Sequence, residues 1–268
     1  MMNSLAKKFY EKGGVDGNRF RSCRFLHEEP QLQWSEVDSL GSDLPRSWFE
    51  LSRIAPRDRV EFVCDFWLDR FPYHPQIHRA IVEFFELLDD VGVVLVQKEE
   101  DGPLQAELVY SLADSSTFFR GRAPCTEEDL LEMRSEVGIA LPRDYLAFLR
   151  IHSGFGKMSE MGLLEVGQLA EAKRRVAHII LHSERPLRSG NKLVDPGSLI
   201  PFFEAIGLDS YQCFYTDWYP GSEMGNVYLS GIDYTISDTS HKQSLAEGLA
   251  FSTFSEWFIF YLQGMLCT

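Results

Sequence analysis

The sequence predicts an α+β protein in which a mixed, twisted sheet is flanked by helices and preceded by an α-helical and β-hairpin N-terminal region. Apolar residues recur at helical spacing in several segments, and short β-branched or aromatic runs lie between them. The chain has 268 residues, 44% of them hydrophobic, which is enough to bury a substantial core.

Three successive patterns predict the N-terminal part. Residues 1–44 contain several glycines and little periodicity, so we interpret them as a loosely organised leader without an assigned function. Residues 58–71 and 77–88 each place apolar side chains on one helical face, and Pro72 ends the first of these helices. Residues 91–97 and 106–112, joined by a turn cluster, predict a β-hairpin. Residues 120–124 indicate a connector, which divides the chain into domains 1–124 and 125–268.

The second domain begins and ends with capped helices. Thr126 and Asp129 form a capping-box pattern, and Gly138 ends the helix that follows. A second helix starts at Leu141-Pro142 and places Tyr145, Phe148 and His152 on one face, until residues 153–156 break it. Residues 253–256 repeat the capping pattern before a strongly periodic last helix. Strands are predicted at residues 162–166, 198–203, 212–215 and 227–236, with a helix over 173–184.

The acidic composition disfavours one class of function. A formal charge of -14 repels phosphate backbones, because nucleic-acid affinity depends mainly on Lys and Arg. The sequence therefore predicts no direct nucleic-acid binding. An acidic surface suits a basic protein partner, although acidity for solubility alone explains the same composition.

The cysteines and the apolar runs indicate the compartment. The five cysteines are widely spaced and form no C-x-x-C pair, which is typical of reduced thiols in a cytoplasmic protein. The N-terminal residues have no apolar stretch of the kind found in a signal peptide, and apolar runs elsewhere are too short to span a bilayer. We therefore expect a soluble, cytoplasmic protein without membrane contact.

Five segments of the second domain resemble the SUKH superfamily, which includes the fungal cell-wall-assembly regulators. Residues 141–154, LPRDYLAFLRIHSG, resemble its "L-P-x-D-Y-x-x-F-L-x-x-x-N-G" element, with Ser153 where Asn is usual. Residues 128–138 resemble its first helix, and residues 162–169 its short strand and turn. Residues 200–209 are similar to "I-P-F-x-x-x-G-x-D", and residues 251–257 to the closing "S-F-x-x-F/W-L" helix.

The resemblance implies a helix-flanked mixed sheet without catalytic apparatus that acts as a partner-binding module. Bacterial members are commonly immunity factors that neutralise toxins, many of them nucleases, whereas fungal members regulate cell-wall signalling. The expected function is therefore a non-catalytic, immunity-type protein that binds a basic toxin domain. A cytoplasmic regulatory adaptor unconnected with toxins and an uncharacterised hydrolase are the alternatives. The oligomeric state is open.

Catalytic, cofactor and metal sites are not expected. His178 and His182 are spaced to share a helical face, but three basic residues precede them and no third ligand is near. Asp209, Asp217 and Asp233 could supply paired carboxylates, although Asp209 fits a turn better. The chain also has no G-x-S-x-G nucleophile elbow and no glycine-rich phosphate loop.

The predicted partner-binding residues are aromatic and acidic. Trp218 and Tyr219 precede Pro220-Gly221 in an aromatic-rich segment, and Trp and Tyr are enriched among binding hot spots. Asp209, Asp217 and Phe155, which we assign to a loop between two glycines, complete the predicted set.

Overall fold

The computed structural model describes residues 4–12, 20–99, 102–113, 117–158, 162–205, 208–239 and 249–266. The chain divides into two compact units. The first unit comprises Met1–Pro124 and Ile151–Ser159, and the second comprises Cys125–Arg150 and Glu160–Thr268. The division after residue 124 coincides with the expected boundary, but residues 151–159 belong to the first unit.

The described part of the first unit contains five α-helices and five strands. The helices are α1 Ser4–Lys12, α2 Trp34–Asp38, α3 Arg46–Leu51, α4 Pro56–Arg70 and α5 Pro75–Glu86. The strands are β1 Ser22–Phe25, β2 Leu88–Gln97, β3 Gln105–Leu112, β4 Phe118–Arg122 and β5 Phe155–Lys157. The two predicted helices and the predicted hairpin of β2 and β3 are confirmed.

The strands form an antiparallel sheet in the order β1-β2-β3-β4-β5. Two predictions were therefore wrong. The supposed leader contributes β1, which pairs Ser22 with Gln97, and α1, whose Ala6 and Tyr10 are buried. The supposed connector is β4, which pairs Arg122 with Glu107. Both strands are short. The partner of β1 is β2, which is distant in the sequence, and β4 pairs with β3 of the hairpin, so the residues of β1 and β4 alone did not predict strands.

Both faces of this sheet are covered. On one face Trp67 of α4 and Phe84 of α5 pack against Tyr110 of β3. On the other face Tyr10 of α1 lies against Phe25 and Phe118, and its hydroxyl donates to the buried Glu107 carboxylate at 2.5 Å. Because aromatic burial on both faces removes much apolar area from water, this unit has a core of its own.

The second unit contains the remaining described helices and strands. The helices are α6 Glu127–Val137, α7 Arg143–Leu149, α8 Leu169–Leu181 and α9 Phe254–Leu266. The strands are β6 Arg188–Ser189, β7 Lys192–Leu193, β8 Leu199–Ala205, β9 Ser210–Tyr215, β10 Asn226–Ser230, β11 Thr235–Ile236 and β12 Ala250–Phe251. Thr126 caps α6 through a capping box with Asp129, and Gly138 ends it at φ +76°, as the sequence predicts.

The seven-stranded sheet has the order β7-β6-β11-β10-β9-β8, with β12 paired to β10. It is mixed because β6 and β11 run parallel while the other pairs are antiparallel. Helices and a mixed sheet thus confirm the predicted α+β class. Residues 227–236 form two strands and a turn rather than one strand, and Leu163 makes a single bridge to Phe203 in place of a strand.

Each face of this sheet has a distinct core. Val176 and Ile180 of α8 pack with Leu199, Cys213, Val227 and their neighbours on one face. On the other face Phe202 of β8 lies 4.3 Å from Phe214 of β9 and 4.8 Å from Trp257 of α9, measured between ring centroids. This aromatic core fixes α9 beside the strands that line the candidate site.

Candidate partner-binding site

The loop of residues 216–225, here called the aromatic loop, connects β9 to β10. Backbone hydrogen bonds close its base: Tyr215 donates to the Gly225 carbonyl, and Gly225 donates to the Trp218 carbonyl, both at 3.0 Å. Trp218 donates to the Tyr215 carbonyl at 3.0 Å. These hydrogen bonds therefore fix the backbone at the base of the loop, as in a β-hairpin.

Trp218 and Tyr219 occupy different environments in this loop. The Trp218 ring is half-buried against the α8-side core and lies so close to Gly225 that a Cβ there would be 2.4 Å from Trp218 Cε3. Tyr219 is 54% exposed, and Asp217 is exposed beside it. Tyr219 is thus the more accessible ring, whereas Trp218 also supports the loop.

Asp209 lies away from the aromatic loop. It precedes β9 at φ +43°, and its carbonyl accepts from the Gly231 N–H at 2.7 Å. Asp217 follows the same strand, so the length of β9 separates the two residues by roughly 20 Å. The structure therefore does not bring these predicted site residues together, either as one binding patch or as a pair of acid and base catalysts.

Phe155 does not lie on a surface, and its assignment to a loop was wrong. It is a strand residue of β5 in the first unit, only 2% exposed. Its ring stacks on Phe119 at 5.5 Å and on His152 at 5.8 Å. His152 was also misplaced, because α7 ends at Leu149 and His152 is buried in the first unit. Neither side chain can reach a partner.

A cleft of about 290 Å³ lies between α9 and the sheet of the second unit. Its lining includes rings of Phe203, Trp257, Phe260 and Tyr261, and its polar members include Ser210, Gln212 and Tyr228. Gly264 of α9 also faces this space. Among the described residues that line it, none is Asp, Glu, His, Lys or Arg. The sequence did not predict this cleft. A polar Gln212 among the aromatic residues of β9 was the one indication in the sequence that this strand lines a polar site.

Two segments that resemble the SUKH pattern meet beside this cleft. Asp144 of α7 accepts hydrogen bonds from the N–H and the hydroxyl of Ser255, at 2.7 and 2.9 Å, in the first turn of α9. Burial raises the pKa of Asp144, and these hydrogen bonds act against that rise. Tyr145 packs 5.0 Å from both Phe214 and Phe254. The motif residues therefore build the core and position α9.

A family model, the SMI1/KNR4 family (SUKH-1), matches residues 124–259, just over half of the chain. The chain belongs to the SMI1/KNR4 family (SUKH-1). The resemblance predicted from the sequence is thereby confirmed. No curated protein matches the chain.

The SUKH-1 match contains the aromatic loop, Asp144, Ser255 and most of the cleft lining. Within the described residues, no three His, Cys, Asp or Glu side chains are grouped so that they could hold a metal ion. The rings of His178 in α8 and His182, which directly follows this helix, stack with their centroids 4.0 Å apart. In the same part of the chain, no helix is both long and apolar enough to cross a bilayer.

Proposed function

We propose that the SUKH-1 half of this chain is a non-catalytic binding module of the immunity type, which neutralises a basic toxin domain in the cytoplasm. The family match over residues 124–259 carries the proposal. The net charge of -14 supports it, because an acidic protein attracts a basic partner and repels nucleic acid. Among the described residues, the cleft lining contains no Asp, Glu, His, Lys or Arg side chain that could serve a hydrolase as acid or base.

Tyr219 and Asp217 of the aromatic loop are the proposed contacts. Tyr219 combines high exposure with a rigid ring, and a buried tyrosine can remove a large apolar area from water at small entropic cost. Backbone hydrogen bonds at the base of the loop hold the main chain that carries both side chains in place before binding. Preorganisation of this kind reduces the cost of ordering on association.

The test is capture and neutralisation of a basic toxin domain, sought among the products of the genes that neighbour the gene for this chain. Tyr219→Ala is expected to weaken binding by about tenfold or more, because a hot-spot truncation costs about 2 kcal/mol. Tyr73→Ala is the matched control, since Tyr73 is 80% exposed in the first unit. Isothermal titration gives the affinities, and survival of cells that express the toxin gives neutralisation.

Each result decides between the candidate functions. Capture with rescued survival supports the immunity role. Capture without rescue contradicts that role and favours a regulatory adaptor. Equal losses of affinity in Tyr219→Ala and Tyr73→Ala would show that the aromatic loop is not the contact surface.

A further inference from the structure

Within the described part of the chain, the polar side chains that line the cleft between α9 and the sheet leave particular hydrogen-bond donors and acceptors unpaired, and these indicate the chemistry of a ligand. A carbonyl oxygen only accepts hydrogen bonds. The Thr253 carbonyl accepts from Asn226 Nδ2 at 2.9 Å, which turns the Asn226 amide oxygen toward Gln212. Gln212 Nε2 donates to that oxygen at 2.8 Å and to the Leu249 carbonyl at 3.0 Å. Both amide hydrogens of Gln212 are therefore engaged, and its orientation is fixed.

Gln212 consequently presents an acceptor to the cleft. Its Oε1 receives no hydrogen bond from any residue that the structure describes, although Gln212 is only 3% exposed. Gln212 belongs to the cleft lining. Because this oxygen is not one of the described side-chain atoms that are both sealed from solvent and unpartnered, it is accessible from the cleft, where a ligand or water can supply the donor.

Tyr228 adds a second acceptor. The Ser210 hydroxyl donates to the Leu208 carbonyl at 2.9 Å, so the hydroxyl of Tyr228 is the donor in its 2.8 Å contact with Ser210 Oγ. The Tyr228 oxygen can therefore accept, but its hydrogen is engaged.

Trp257 supplies a donor. This residue lines the cleft, and its indole N–H has no hydrogen-bond partner among the described residues and is not sealed from solvent. Acceptors on the sheet and a donor on α9 match a ligand that both donates and accepts, as a peptide unit does.

The described lining of the cleft contains no charged side chain. A charged side chain would lose its hydration in a cleft whose described lining contains no ionised partner. The rings of Phe203, Phe260 and Tyr261 instead favour an apolar side chain. The volume of about 290 Å³ lies at the lower end of ligand pockets, which suits one residue rather than a large cofactor.

We propose that this cleft binds one uncharged, apolar residue of the partner protein, in an extended segment whose main chain pairs with Gln212 and Trp257. The segment's N–H donates to Gln212 Oε1, and its carbonyl accepts from the Trp257 indole. This inference rests on the proposed function for its occupant and specifies how that occupant is anchored.

Blocked single residues test the ligand chemistry directly. The full chain is titrated with N-acetyl-L-leucinamide and, separately, with N-acetyl-L-lysinamide, while the assigned indole N–H signal of Trp257 is followed by NMR. The leucine probe is expected to shift this signal saturably, and the lysine probe to bind about tenfold more weakly or not at all. No saturable shift with the leucine probe, or equal binding of the lysine probe, would overturn the proposal.

Two variants test the position of the site. Gln212→Leu removes the acceptor and should weaken the leucine probe by about two- to tenfold. Gly264→Leu fills the cleft from α9, and this variant should fold, because a Cβ at Gly264 meets no atom within 4 Å. It is expected to abolish probe binding. Gln263→Leu is the control, since Gln263 is an exposed neighbour on α9 outside the cleft lining.

The same variants separate this inference from the proposed function. Both the cleft as the anchor and the immunity role are supported if Gly264→Leu abolishes toxin capture and Gln263→Leu preserves it. Toxin capture that Gly264→Leu leaves unchanged overturns the cleft as the anchor and leaves the immunity role in place. Probe binding by a chain that captures no toxin supports the ligand chemistry and overturns the toxin as its source.

Discussion

His152 shows how one buried residue organises the first unit. Its Nδ1 lies 2.7 Å from the Arg122 carbonyl, so this nitrogen carries the proton and Nε2 accepts from the Tyr110 hydroxyl at 2.5 Å. Trp67 Nε1 donates to the same tyrosine oxygen at 3.2 Å. Gly121 makes room for the ring, because a Cβ there would be 2.5 Å from His152 Cγ. In this arrangement the imidazole is neutral, and burial disfavours its protonation.

Acidification is therefore expected to destabilise the protein through His152. Burial lowers the pKa of His152 from 6.5 to about 4, so below pH 6.5 the unfolded chain binds a proton that the folded chain does not. The free energy of unfolding should fall as the pH drops from 6.5 toward 4, by about 3 kcal/mol in total. Urea unfolding across this pH range measures the loss.

His152→Gln isolates this contribution. The variant is expected to be less stable at neutral pH, since it disrupts the hydrogen bonds to Tyr110 and Arg122. Its stability should change less between pH 6.5 and 4 than that of the parent chain. An unchanged pH dependence would show that other groups cause the acid sensitivity.

At the scale of secondary structure, α7 determines where α9 begins. Asp144 in the first turn of α7 accepts both the N–H and the hydroxyl of Ser255. Phe148 of α7 packs 5.6 Å from Phe254 and 5.0 Å from Phe258. Because α9 supplies one wall of the cleft, the Asp144–Ser255 contact also positions the candidate site.

Asp144→Asn and Ser255→Ala are each expected to lower the free energy of unfolding by about 1–2 kcal/mol. The double variant should lose less than the sum, with a coupling energy of about 0.5 kcal/mol or more, because both substitutions remove the same contact. Ser252→Ala is the control on the same turn. Additive effects in urea unfolding would contradict a direct role of this pair.

Helices were easier to predict than strands because their signals are local. The α4 and α5 patterns, the Thr126 cap and Gly138 each lie within the element that they specify. In contrast, β4 looked like a connector because its burial depends on β3 and β5, not on its own residues. The turn within residues 227–236 was likewise not predicted. The alternating sequence pattern of a strand continues through Tyr234, but this residue adopts a φ of +56°, which interrupts the strand.

At the scale of the whole molecule, the charge of -14 would favour the approach of a basic partner of the kind proposed above. Long-range attraction to a basic protein raises the association rate more than it slows dissociation. The uncharged cleft and the exposed Tyr219 would then hold the partner through short-range contacts. Steering and anchoring are thus assigned to different features of the molecule.

Salt should separate these two contributions. Raising the ionic strength to about 1 M shortens the Debye length to about 3 Å, so the association rate with a basic toxin domain is expected to fall by about tenfold or more. The dissociation rate should change much less. Stopped-flow mixing gives both rates, and an association rate independent of salt would contradict electrostatic steering.

The sequence by itself determined the α+β class, the capped helices and the SUKH-1 family, because periodicity, caps and motifs are properties of neighbouring residues. Only the tertiary structure decided that Phe155 is buried, that Asp209 and Asp217 lie at opposite ends of β9, and that Gln212 lines a cleft. These facts depend on strand pairing and on which helix covers which face. Distances between residues remote in the chain are fixed by packing, and no local pattern encodes them.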